Sequence, residues 1–187
     1  MIITHYRKKL INSIIYFVVH TKYCGITKLM KLLYFLDFWH FKQTGKPVTG
    51  SEYFAWNKGP VPRDVHSELS GKMKSDMAAN IKRTEFADTS FLKFNAKKKF
   101  DPEYFSEREL GLLENISFMF KDLKSDDIIE IAHLKNKPWI KTKDTKGLLS
   151  KIDYMLAVDE DDDSISIEQA KDTLDEIAEV YKIFGVA

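Results

Sequence analysis

The stretch TKLMKLLYFLDFWHF, Thr27 to Phe41, decides the fold. Ten of its fifteen residues are apolar, and no face of a helix drawn through them is wholly polar. A helix that is apolar nearly all round lies inside a protein, so this segment is the expected central element against which the others pack. Its few charges are Lys28, Lys31 and Asp37.

On the N-terminal side, Leu10, Ile11, Ile14, Ile15, Phe17 and Val18 recur at helical spacing and predict a first helix, with Gly25 as its stop. On the other side, Gly45 to Pro62 holds three glycines and three prolines and reads as a structured loop, with Glu52 to Trp56 a short extended piece. Pro62 suits the first turn of a helix, because its fixed φ fits there and its missing N–H has no partner to lose; a short helix to Leu69, closed by Gly71, follows. Alternation in Ile81 to Thr84 and in Phe91 to Phe94 predicts a small hairpin turning near Asp88. Ser106 with Glu109 forms a capping box for a helix running to Lys121. Ser125, Asp126 and Asp127 start another that ends near Leu134, with Pro138 closing the region. Ser166 with Gln169 opens the last, which carries Ile167, Ala170, Leu174, Ile177, Ala178 and Tyr181 at helical spacing. No linker or internal repeat divides the chain. The expectation is a mainly α fold: one compact helical domain over 1–187 with a small antiparallel β-hairpin, ending in an acidic turn and a helix at 158–187.

At 187 residues and 44% apolar content, the chain can bury a core of its own. The apolar run Leu10 to Val19 falls far short of the about 20 residues of a membrane span and lacks a small-residue cleavage site, which predicts a cytoplasmic protein. A single cysteine, Cys24, excludes an internal disulfide framework and a multi-cysteine zinc cluster. The net charge of +1 hides a split: residues 1–100 hold 18 Lys and Arg against 7 Asp and Glu, and residues 101–187 hold 11 against 21. Either these charges meet within the fold, or a basic face is offered to an acidic partner.

Signals for chemistry are few. The eight glycines never take the spacings that bring backbone amides onto phosphates, so no nucleotide or other cofactor is expected. The five histidines are scattered, and neither a metal site nor a catalytic residue is indicated. Cys24, beside an apolar helix, reads as a buried small residue rather than a nucleophile. Alternate aspartates from Asp159 match the first ligands of a calcium loop, but Ser164 stands where that loop needs glycine and Ala170 where it needs glutamate. The run Asp159 to Asp163 is therefore a solvated acidic turn, or an acidic clamp for a basic partner. Tyr53, Phe54 and Trp56 lie near Lys58, Arg63 and His66, a mixture seen where proteins stack on bases, yet no nucleic-acid module accompanies them and core packing explains the rings.

Four motifs in order carry a resemblance: KLMKLLYFL at Lys28 to Leu36, TGKP at Thr44 to Pro47, EYFAWNKGPVP at Glu52 to Pro62, and AHLKNKPW at Ala132 to Trp139. In order and spacing the chain resembles the Panacea-domain family, the group of SocA-like antitoxins and phage-associated relatives, over about 10–155. The block around Ala55-Trp56 and Gly59-Pro60-Val61 is its most specific part. Physically, the motif positions Lys28, Leu32, Leu33, Tyr34, Trp56, Gly59, Pro60, Val61, His133, Pro138 and Trp139 read as scaffold, with Gly59 and Pro60 fixing a turn that lays Trp56 onto the central helix.

The resemblance implies a function: neutralising a toxin encoded by an adjacent gene through direct contact, or, in one kind of relative, delivering that toxin to an ATP-dependent protease. Contact residues are expected to vary between relatives that meet different toxins. Some relatives carry a DNA-binding domain as well; only a few residues precede the first helix here, which puts autoregulation through such a domain in doubt. The candidate contacts are Tyr53, Lys58, Arg63, His66 and the acidic Asp159, Asp161 and Asp163. An unrecognised enzyme or nucleic-acid binder is the weaker alternative, and no membrane partner is expected.

Overall fold

A computed structural model describes residues 2–85, 91–135 and 137–183 of the chain. Thr27 to Phe41 lies within α2, Ile26–Thr44, and the other elements surround it. Leu29, Met30, Leu32, Leu33, Tyr34, Phe35, Leu36, Phe38 and Phe41 are all buried, as is expected of a helix with apolar residues on every side. Gly45 ends it in the left-handed conformation (φ 71°), where its N–H bonds the Phe41 carbonyl.

The first helix, α1, spans Ile2–His20, longer at both ends than the apolar periodicity indicates. It packs on α2 and α5 and buries Ile14, Ile15 and Phe17. Gly25 is not its stop but the residue before α2, and Cys24 beside it is buried, its thiol pushed up to about 11 by that burial. Helices α3 (Arg63–Ser70), α4 (Ser75–Asn80), α5 (Glu107–Phe120), α6 (Ser125–Lys135), α7 (Lys137–Lys146) and α8 (Ile167–Ile183) complete the helical shell. Pro62 caps α3 from the position just before it, and α4 had no signal in the sequence reading. The Ser106–Glu109 capping box opens α5 as expected. Ser166 and Gln169 bond reciprocally at the start of α8, by the same logic. Pro138 does not close a helical region; it lies in the first turn of α7, where a missing N–H is tolerated.

Two hairpins form where the sequence reading expected one. The expected pair is β3 (Ile81–Glu85) against β4 (Leu92–Ala96), in register Ile81 with Ala96 and Glu85 with Leu92; its turn near Asp88 lies outside the described residues. The additional pair is β1 (Tyr53–Trp56) against β2 (Gly59–Pro62), in the region read as loop. Its second strand is Gly-Pro-Val-Pro, and proline cannot donate to a ladder. The register resolves the conflict, because Pro62 and Pro60 face Tyr53 and Ala55, whose backbone groups point the other way. Ala55 donates to the Ser150 carbonyl (2.9 Å) and accepts from the Leu149 N–H (2.8 Å), while the Ile152 N–H bonds the Tyr53 carbonyl (2.8 Å). Prolines two apart thus occupy the positions that need no N–H.

The split in charge closes on itself in several places. Lys9 pairs with Glu109, Lys22 with Asp122, and Lys42 with Asp159, Asp161 and Asp163, each a base of the first half meeting an acid of the second. Among the described residues no helix is long and apolar enough to cross a membrane.

A candidate binding face around a buried lysine

Alternation along β1 turns Tyr53 and Ala55 inward and leaves Phe54 and Trp56 half-buried on the outer side. The first turn of α3 then sets two side chains, three residues apart, against those rings. The Arg63 guanidinium lies 4.4 Å from the Phe54 ring centroid, and the His66 ring 5.0 Å from that of Trp56. Lys58 projects into solvent from the hairpin turn, which Gly59 closes at φ 96°. Leu148 (46% exposed) and Leu149 (70% exposed) lie on the turn after α7. Leu149 sits at φ 66°, an uncommon conformation for a side chain of its kind, held by its N–H bond to Ala55.

Behind this face is a cavity of about 440 Å³ whose wall includes Trp56, Lys58, His66, Leu148 and Leu149, and whose floor includes Lys31 of α2. Lys31 is 1% exposed and donates to the Pro60 carbonyl at 2.8 Å, its one acceptor among the described residues. Burial pulls its pKa down to about 7, since a charge withdrawn from water without a counter-ion is disfavoured. His66 is also pushed down, by burial and then by the Lys31 charge.

Lys28, one turn earlier on the same helix, is as deeply buried but differently employed. Its ammonium reaches the carbonyls of Lys22 (2.8 Å), Leu123 (2.6 Å) and Lys121 (3.3 Å). It thereby ties the α1–α2 turn to the C-terminal end of α5, where a cation also meets the negative pole of the helix. Asp37 accepts from the Thr49 N–H (2.6 Å), the Thr49 hydroxyl (2.5 Å) and the Tyr53 hydroxyl (2.7 Å). Burial still pushes its carboxyl up to about 6.

Of the candidate contacts, Lys58, Arg63 and His66 come together on the outer face. Tyr53, contrary to the expectation from sequence, does not: it is 0% exposed, its ring packed edge-on to Tyr34 and Phe38 and its hydroxyl committed to Asp37. Asp159, Asp161 and Asp163 lie elsewhere, converging on the Lys42 ammonium at 3.0, 2.8 and 2.8 Å. With the Ile165 N–H bonded to the Lys42 carbonyl, they fasten the segment before α8 to α2.

Of the motif residues, Leu32, Leu33 and Tyr34 are core, Val61 and Pro138 are buried, and Trp139 donates its Nε1–H to the Trp56 carbonyl (3.1 Å), locking α7 to β1. His133 is carried on α6, and its side chain lies outside the described residues. In the sequence Lys31 and Asp37 stand out only as charges on a buried helix. That position was the available signal, since a charge in an apolar helix needs a partner or a purpose.

Neither a curated protein nor a solved structure matches the chain. A family model, Antitoxin SocA-like, Panacea domain, matches residues 29–140, from within α2 through both hairpins to the start of α7. This is more than half of the chain and contains most of the face just described, so the chain belongs to the SocA-like antitoxin, Panacea-domain family.

Proposed function

We propose that this protein is an antitoxin of the cytoplasm that neutralises a toxin encoded beside it by binding the toxin directly and covering its active surface, without turnover. The observation that supports this most is the composition of the outer face: half-buried aromatic and exposed leucine side chains beside the exposed Lys58 and Arg63. Aromatic and arginine anchors ringed by polar groups are where binding energy concentrates in protein interfaces, and rim charges speed encounter. Membership in an antitoxin family supplies the class of partner.

The test is co-expression with the product of the neighbouring reading frame, scoring growth and recovering the complex. Wild type should restore growth and co-purify with abundant, inert toxin. Replacing Trp56 by alanine, or Lys58 and Arg63 together by glutamate, should abolish rescue while the protein stays folded. If toxin abundance falls, and only in cells holding an ATP-dependent protease, the protein is a delivery adaptor instead. A neighbour that is neither bound nor depleted overturns the antitoxin reading.

A further inference from the structure

We propose that Lys31 is the receptor for an aspartate or glutamate side chain of the bound toxin, which enters the cavity behind Trp56 and pairs with the buried ammonium. This rests on the toxin-binding reading and names the contact that gives it specificity.

Three observations converge on it. Lys31 is withdrawn from solvent yet meets a single carbonyl, so two of its three N–H donors have no acceptor among the described residues. The other withdrawn lysines are provided for: Lys9 meets Glu109, Lys28 three carbonyls, and Lys42 three carboxylates. The cavity over Lys31 is also complementary to an anion, because its described lining holds Lys58 and His66 and no acid. Finally, the collar is apolar. Trp56, Leu148 and Leu149 would cover the residues on both sides of an entering carboxylate and exclude water from the pair. A side chain within a segment has flanks on both sides, as a chain terminus does not. A charge pair closed off in this way is far stronger than one at the rim.

The experiment measures Kd for the neighbouring toxin with wild type, Lys31→Met and, as a control, Lys171→Met, exposed on α8. Lys31→Met should weaken binding by at least about thirty-fold with its thermal midpoint not lowered, and Lys171→Met should leave it unchanged. One Asp→Asn or Glu→Gln replacement in the toxin should cause a similar loss that adds nothing in the Lys31→Met background. If wild type binds and Lys31→Met binds within about three-fold of it, the inference falls and the antitoxin reading stands. If wild type does not bind that toxin, the antitoxin reading falls, and a peptide comparison decides the pocket. Millimolar acetyl-Leu-Glu-Leu-amide should then move the Lys31 ¹³Cε resonance and acetyl-Leu-Gln-Leu-amide should not; equal or absent shifts overturn the proposal.

Discussion

Replacing Lys31 by methionine should make the protein more stable, and the gain should depend on pH. The folded amine titrates near 7 against an ordinary 10.5. At about 1.36 kcal/mol per pH unit, that gap corresponds to about 5 kcal/mol. The sign follows from the depressed value: this contribution to stability is fully present above 10.5, where both states are neutral, and is lost as pH falls to 7 because only the unfolded chain takes up the proton. Below pH 7 wild type therefore carries the whole deficit, and at pH 7 nearly all of it. Methionine has a similar shape and never titrates, but it leaves the Pro60 carbonyl without its donor, which costs about 1–3 kcal/mol. The net gain at pH 7 is about 2–4 kcal/mol, or on the order of 10 °C in thermal midpoint for a chain of this size. Urea unfolding of both proteins at pH 6, 7, 8, 9 and 10 provides the assay. Their difference should hold constant below 7 and then close by about 1.4 kcal/mol per pH unit. A difference that stays flat from 7 to 10, or a variant less stable at pH 7, refutes the account of Lys31 as a buried charge with no counter-ion among the described residues.

Asp37→Asn should destabilise the fold by about 2–3 kcal/mol at pH 7 in urea unfolding, because its amide would face donors from Thr49 and Tyr53. The folded Asp37 carboxyl is raised to about 6 from 3.8, so its contribution is fully present below 3.8 and lost as pH rises through 6; the advantage of wild type over Asp37→Asn should widen on acidifying across that window. Lys42→Ala should leave Asp159, Asp161 and Asp163 facing one another and speed hydrogen exchange across 158–165, most of all at the Ile165 amide that bonds the Lys42 carbonyl; unchanged exchange would show that the charge cluster does not hold the segment. Glycine substitutions should split by sign. Gly45→Ala places a methyl group 3.0 Å from Thr173 at φ 71° and should cost about 1–2 kcal/mol, whereas Gly111→Ala, on a stretch of α5 with open space, should stabilise by up to about 1 kcal/mol in the same assay.

The helical frame was legible because its signals are local. The all-round apolar run of α2, the reciprocal caps at Ser106 and Ser166 and the alternation of β3 and β4 each sit within a few residues of sequence. What escaped the reading depends on distant partners. The first hairpin accepts prolines in β2 only because residues 149–152 take up the outward backbone groups of Tyr53 and Ala55, nearly a hundred positions away. Tyr53 passed for a surface residue because it stands beside Phe54 and Trp56, which are only half-buried. One step along a strand reverses the face, and that step placed Tyr53 under Asp37 and left Phe54 beneath Arg63. The acidic run looked free for a partner because Lys42 lies more than a hundred residues before it.

Lys28 and Lys31 show why the candidate site in particular was hidden. They are the same residue type, one turn apart on one helix, 0% and 1% exposed. Burial and charge therefore cannot distinguish them; the number of acceptors does. Lys28 meets three carbonyls at a helix end, an arrangement complete in itself, and removing it would break the joint between the α1–α2 turn and α5. Among the described residues Lys31 meets one carbonyl, over a cavity with no acid in its described wall. A fold selected for stability alone would place methionine or leucine at that position, since an apolar residue of similar volume avoids burying a charge. Retaining an ammonium there at a cost to stability makes physical sense if a carboxylate arrives from outside, and the cost is then recovered only in the complex. Stability lost in the free protein and affinity gained in the bound one are two readings of the same missing counter-ion. Lys31→Met should accordingly move the two in opposite directions, whereas a purely structural lysine would move them together.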